Sequence, residues 1–172
     1  AGGVPVFADV DPDTYCLDVE AVLRAITPRT RAILPVHLAM RFADMDALLA
    51  VARDHNLRVI EDCAHVHGGQ YQERGSGSMG DLGCFSFQES KLMTAGEGGI
   101  VITSNLQYFE HLQSQVNCGR ASLTDQFQQR VLGSNYRLTE LQASLLIGQL
   151  ELLPGFAAKR TRWAARLRQH FD

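Results

Sequence analysis

Residues 4 to 60 alternate in a pattern that few folds accommodate. Ala32 to Val36 is an apolar run of strand length, and Leu57-Arg58-Val59-Ile60 is another. Between them Asp44 stands as an N-cap ahead of Met45, Leu48, Leu49 and Ala52, which share one helix face, and His55-Asn56 closes that helix. Upstream the order repeats: Val4 to Phe7 reads as a buried strand, and Asp18 caps a short helix with Val19, Val22, Leu23 and Ile26 on one side. Apolar strands alternating with amphipathic helices over short connections are the signature of parallel βαβ units. The predicted class is therefore α/β, with a mostly parallel sheet flanked by helices.

Such sheets present their ligands at the carboxyl ends of the strands, so the residues just beyond each strand are the ones to inspect. Glu61-Asp62-Cys63-Ala64-His65-Val66-His67-Gly68-Gly69 follows the 57–60 strand directly. Further on, the apolar run Gly83-Cys84-Phe85 delivers Ser86, then Lys91, then the glycine-rich turn Gly96-Glu97-Gly98-Gly99 that opens a second apolar strand at Ile100. Lysine is scarce, with Lys91 and Lys159 against fourteen arginines. Arginine cannot lose its proton near neutral pH, whereas a partly buried lysine can, and then acts as a nucleophile of the Schiff-base kind. A solvated loop lysine is the alternative reading. The glycines of Arg74 to Asp81 suggest a phosphate cradle, but the Gly-Lys-Ser/Thr ending of a P-loop is missing, and a hairpin or linking turn is expected there.

Asp62, Ser86 and Lys91 together are what pyridoxal 5'-phosphate requires: an amine for its aldehyde, a carboxylate to keep the ring nitrogen protonated, and a hydroxyl for the phosphate. A carboxylate about 4 Å from the pyridinium, at an effective dielectric near 20, is worth about 4 kcal/mol, or roughly three pKa units. That is enough to keep the ring an electron sink at neutral pH. His65, three residues beyond Asp62, is placed to hydrogen-bond the cofactor's phenolic oxygen or to pack against the sheet end. Cys63, His65 and His67 alternate, which in an extended segment puts them on one face, but no fourth ligand with familiar spacing is visible and no metal is expected.

The remaining stretches add helices. One is expected from Leu106 to about Val116, followed by a polar surface loop from Cys118 to Gln129. A capping box of Thr139 and Gln142 then opens a helix that Pro154 is expected to end, and a last basic helix runs from Phe156 to Phe171. A net charge of -3 gives no case for nucleic acid, so the basic helix reads as a solvated face. No apolar run approaches the ~18 residues of a membrane span, and the four dispersed cysteines read as reduced. A cytoplasmic protein with no membrane partner is expected.

Taken in order, Pro35-Val36-His37-Leu38, Ala43-Asp44-Met45-Asp46, Ile60-Glu61-Asp62-Cys63-Ala64-His65, Phe85-Ser86-Phe87 with Lys91, Gly96-Glu97-Gly98-Gly99 and Asn135-Tyr136-Arg137 resemble the DegT/DnrJ/StrS family of sugar aminotransferases. That resemblance implies the aspartate aminotransferase fold, fold type I of the pyridoxal-phosphate enzymes. It implies Lys91 as the Schiff-base lysine, Asp62 under the ring nitrogen, His65 near the phenolic oxygen and Ser86 on the phosphate. It also implies that Asn135 reaches the phosphate in the neighbouring subunit of a homodimer with shared sites.

Within the family, Lys91 to Gly99, Asn117 to Arg120 and Gly133 to Arg137 look most like the 3-amino-5-hydroxybenzoate synthases and the related aminocyclitol aminotransferases. The implied reaction moves an amino group from glutamate or glutamine to a keto-sugar or cyclitol ketone, as in antibiotic biosynthesis. Synthase-type loss of water with aromatisation is the alternative on the same cofactor, and a non-catalytic fragment or binding domain is the alternative of another class. Ala39-Met40-Arg41 departs from the family, which more often has a glycine there. The family also carries a phosphate-gripping Gly-Thr loop and a small C-terminal domain that are not found here. Residues 1–153 are accordingly expected to be part of the large cofactor-binding domain and residues 154–172 a helix leading to the small one, the piece alone not being competent.

Overall fold

In the computed structural model, which describes residues 2–120 and 128–171, a four-stranded sheet is ordered β1-β2-β5-β6. β1 (Ala32–Ile33), β2 (Arg58–Asp62) and β5 (Leu82–Ser86) run parallel, and β6 (Gly99–Ile102) returns antiparallel beside β5. The register sets Asp62 opposite Cys84 and Ser86 opposite Gly99. The sheet is thus mostly parallel, as the alternation predicts.

The helices begin where their caps place them. Asp18 accepts from the Ala21 N–H at 2.6 Å to start α1 (Val19–Ala25), and Asp44 accepts from Ala47 at 3.1 Å to start α2 (Met45–Asp54). Met45, Leu48, Val51 and Ala52 of α2 bury against Ile33, Val59, Val22 and Cys16, which forms the main core. Asn105 caps α3 (Leu106–Val116). Thr139 and Gln142 bond reciprocally ahead of α4 (Glu140–Phe171). α4 seats Leu146 and Leu153 on a second, smaller cluster with Phe87, Met93 and Ala95.

Several expectations are corrected. Val4 to Phe7 forms no strand and lies exposed, because the alternation supplied apolar residues but the described residues offer that segment no strand to pair with. β1 is shorter than Ala32 to Val36. Pro35 has no N–H to donate, and pairing resumes only at a bridge between Val36 and Asp62. Pro154 does not end its helix, since α4 runs through it. The loss of a single N–H is local, and Leu146 and Leu153 seat the helix on protein up to that turn. Of the polar loop from Cys118 to Gln129, residues 121–127 lie outside the described residues. By length and composition alone α4 is also long and apolar enough to cross a membrane, with a window of mean hydropathy 1.2, contrary to the absence of such a run expected from the sequence. That window is interrupted by Gln142, Gln149 and Glu151, and its Leu146 and Leu153 pack on protein.

β2 and β5 are joined without a helix. The chain instead makes a small hairpin, β3 (Gln70–Tyr71) with β4 (Arg74–Gly75), through Gln72 and Glu73, both at positive φ. The turn after it brings residues 76–81 back beneath the sheet.

Candidate active site

Two adjacent parallel strands bring the predicted residues to one edge. β2 ends at Asp62 and β5 ends at Ser86, two residues past Cys84, the partner of Asp62. Asp62 is held by its own backbone: its N–H donates to the Pro35 carbonyl at 2.9 Å, and its carbonyl accepts from the His37 N–H at 3.0 Å. Its side-chain Oδ1 accepts from the Ala64 N–H at 3.0 Å. Ser86 Oγ accepts from the Gln88 N–H at 3.3 Å. Lys91 follows in the bend closed by its N–H to the Gln88 carbonyl at 3.0 Å, half-buried, and it has no ion pair among the described residues. Carboxylate, hydroxyl and amine therefore leave the sheet at its carboxyl edge, and this donor set fits pyridoxal phosphate.

The two histidines differ. His65 sits exposed in the turn after Asp62, whereas His67 is 3% exposed and its Nε2 lies 2.8 Å from the Ser86 carbonyl oxygen. Burial pushes the His67 pKa down, against the hydrogen bond to Ser86, and the positive charge of Lys91 pushes it the same way. The one-face arrangement of Cys63, His65 and His67 is not realised, since residues 64–65 turn and leave Cys63 and His67 buried with His65 in solvent. Asn135 is not brought to this edge by any contact. It is exposed and bridges Asn117 at the end of α3, where Arg137 donates to Asn117 Oδ1 at 2.7 Å.

Beneath Asp62 lies a feature that the sequence reading did not assign. Glu61 is 0% exposed, on the buried face of β2. Its Oε1 accepts from the Met79 and Gly80 N–H groups at 2.8 and 2.6 Å, and its Oε2 from the Gly77 N–H at 3.1 Å. His37, also 0% exposed, completes the set at 3.1 Å from Oε2. The Ala43 N–H donates to His37 Nδ1, so the ring proton sits on Nε2 and points at Glu61. Desolvation pushes the Glu61 pKa up, but His37 and the three N–H groups outweigh it and the net shift is downward.

The glycine-rich turn is thus an anion cradle, but for an internal carboxylate rather than a phosphate. Gly77 has φ +77, and a Cβ on Gly80 would lie 2.7 Å from the Val59 carbonyl, so neither position admits a side chain. An acidic residue inside an apolar strand, followed by a turn rich in unsatisfied N–H groups, was the available signal.

His37, Glu61 and Cys63 place possible metal-ligand atoms within 4.8 Å of one another. The Glu61 oxygens are already saturated, and burial, with Glu61 and Asp62 nearby, pushes the Cys63 thiol up to about 12, so this trio is a structural cluster. A surface groove of about 480 Å³ lined by Ile26, Thr27, Arg31 and His55 lies at the opposite, amino end of the strands. Chemistry rather than concavity locates the site.

Comparison with known proteins identifies the family and the fold. A profile described as the DegT/DnrJ/EryC1/StrS aminotransferase family matches residues 1–172. The chain is 54% identical over 149 residues, 86% of its length and 36% of the relative's, to a Streptoalloteichus tenebrarius protein provisionally named L-glutamine:3-amino-2,3-dideoxy-scyllo-inosose aminotransferase. It is 47% identical over 175 residues, 95% of its length and 41% of the relative's, to the L-glutamine:scyllo-inosose aminotransferase of Streptomyces griseus. The crystal structure of a 3-amino-5-hydroxybenzoic acid synthase superposes with a TM-score of 0.89 at 42% identity, covering 95% of this chain and 43% of that one. The chain spans about two-fifths of the length of the relatives it matches.

Proposed function

This chain belongs to the DegT/DnrJ/EryC1/StrS aminotransferase family, and from that premise we propose that it forms the cofactor-binding core of an aminotransferase that moves an amino group from glutamine to a cyclitol ketone. The observation that carries the reading is the delivery of Asp62, Ser86 and Lys91 to one sheet edge by β2, β5 and the bend after β5. The names of the relatives support the donor and acceptor classes, and identities of 54% and 47% to aminocyclitol aminotransferases favour transamination over the synthase reaction, at 42%.

Pyridoxal phosphate, when bound, supplies the electron sink for a carbanion at the amino-bearing carbon. The chain's own residues do the rest. Asp62 holds the proton on the ring nitrogen, Ser86 Oγ binds the phosphate, and His65 orients the phenolic oxygen. Lys91 Nζ is the amine that would hold the cofactor's aldehyde, and it would move the proton at the substrate carbon as general base and then general acid. Asn135, remote from this edge in its own chain, is assigned to the phosphate of the neighbouring subunit in a homodimer. Residues 1–153 are assigned to the cofactor-binding domain and residues 154–172 to the link with a small domain. The continuity of α4 puts that boundary inside one helix. Four free cysteines fit a cytoplasmic location.

The test uses the full-length protein with added cofactor. Borohydride reduction followed by peptide mapping is expected to leave a pyridoxyl group on Lys91, and Lys91→Ala is expected to abolish amination of scyllo-inosose. A folded protein with no visible absorbance band, or turnover retained in Lys91→Ala, would overturn the reading.

A further inference from the structure

His67 has no part in the function proposed above, yet it is among the most enclosed polar side chains near the site. A carbonyl oxygen can only accept, so the 2.8 Å contact between Nε2 and the Ser86 carbonyl requires the proton on Nε2. Nδ1 is buried without a hydrogen-bond partner among the described residues, so a second proton there would be an unpaired charge in a closed space. The ring stays neutral, in one tautomer. It is wedged against Phe85 and Phe87, the residues on either side of Ser86, at ring distances of 5.5 and 6.0 Å. Leu153 of α4 closes over the neighbouring Gly68.

The other bonds at this strand end explain why this one matters. The Phe87 carbonyl is pinned by the Ala95 N–H and by Thr94 Oγ1, both at 3.0 Å. Ser86 is the last residue of β5, where the sheet stops and the bend to Lys91 begins. Its carbonyl is held by His67. Two successive peptides are thus fastened, the 87–88 peptide by the loop that follows Lys91 and the 86–87 peptide by the turn that follows Asp62, and Ser86 Oγ leaves the chain at the Cα that adjoins the peptide His67 holds.

We propose that His67 is a positioning residue: through its Nε2–H···O bond to the Ser86 peptide it fixes the hydroxyl that binds the cofactor phosphate, and so sets the affinity for that phosphate. The proposal rests on the cofactor reading given above. Its signature is selectivity for the phosphorylated ligand, since pyridoxal has the same ring and aldehyde but nothing for Ser86 to hold.

The experiment titrates the full-length protein with pyridoxal phosphate and, separately, with pyridoxal. His67→Phe keeps the ring and loses the donor. It is expected to weaken pyridoxal phosphate about fivefold, the worth of one hydrogen bond, while pyridoxal changes by less than about twofold. His67→Gln, which can set an amide N–H near the Nε2 position, is expected to restore the phosphate ligand to within about twofold, and His67→Asn, which cannot reach, is not. In a Ser86→Ala background His67→Phe is expected to add almost nothing. Equal weakening of both ligands, or no weakening of either, would overturn the proposal. If His67→Phe does not fold, the difference between Gln and Asn decides. Failure of the unsubstituted protein to bind either ligand would instead sink the cofactor reading and this inference with it.

Discussion

Glu61 and helix α4 meet water in opposite ways. Around Glu61 a charge is fully buried, and both its oxygens are satisfied by His37 and three backbone N–H groups within the same chain. Along α4 apolar side chains stand in solvent, with Leu141 at 79%, Ile147 at 64% and Leu150 at 59% exposed, and only Leu146 and Leu153 buried. A buried charge tolerates no missing partner, so that cluster is completed locally. An apolar face has no directional requirement and can be covered by any complementary apolar surface. The Glu61 cradle is self-sufficient in its polar contacts, whereas α4 presents an apolar face that a complementary apolar surface could bury.

The comparison can be broken most forcefully at Glu61. Glu61→Gln keeps the shape but turns an acceptor into an NH2 group facing backbone donors, and is expected to cost about 3 kcal/mol in urea unfolding of the full-length protein. A cost near zero would mean that the cradle is not a charge site. The same group predicts a pH response. Because its folded pKa lies below that of an ordinary glutamate, its contribution is fully present above the ordinary value and is lost as pH falls through the lower folded one. Acid titration of stability should therefore be steeper for the unsubstituted protein than for Glu61→Gln, with identical profiles overturning the assignment.

Leu153→Ala probes the buried stripe of α4 and is expected to cost about 2 kcal/mol by opening a cavity beside Phe87 and Gly68. A smaller loss, about 1 kcal/mol, is expected for Ile147→Ser in the full-length protein if the exposed face is covered there. A value within about 0.5 kcal/mol would place that face in water and sharpen the contrast in the other direction.

Much of this molecule was legible in its sequence. The caps Asp18, Asp44 and Thr139, the apolar spacing of α2 and the strand-end positions of Asp62 and Ser86 all follow from local chemistry, because a cap or a helix face needs only residues a few positions apart. The motif resemblance supplied the expected role of Asn135 and narrowed those already read for Lys91 and His65. Pairing could not be read in this way. Val4 to Phe7 has strand composition, but a strand exists only with a neighbour. Pro154 is a local stop signal, yet α4 runs through it, seated by Leu146 and Leu153 ahead of it. The Glu61 cradle and the His67 wedge join residues 16 to 24 positions apart, and 19 positions apart, respectively. The order of residues therefore determined which groups are present and where helices begin. The tertiary structure decided which carboxylate lies buried on N–H groups and which stands at the edge as a chemical group, because burial and hydrogen-bond completion belong to the neighbours that the fold brings together.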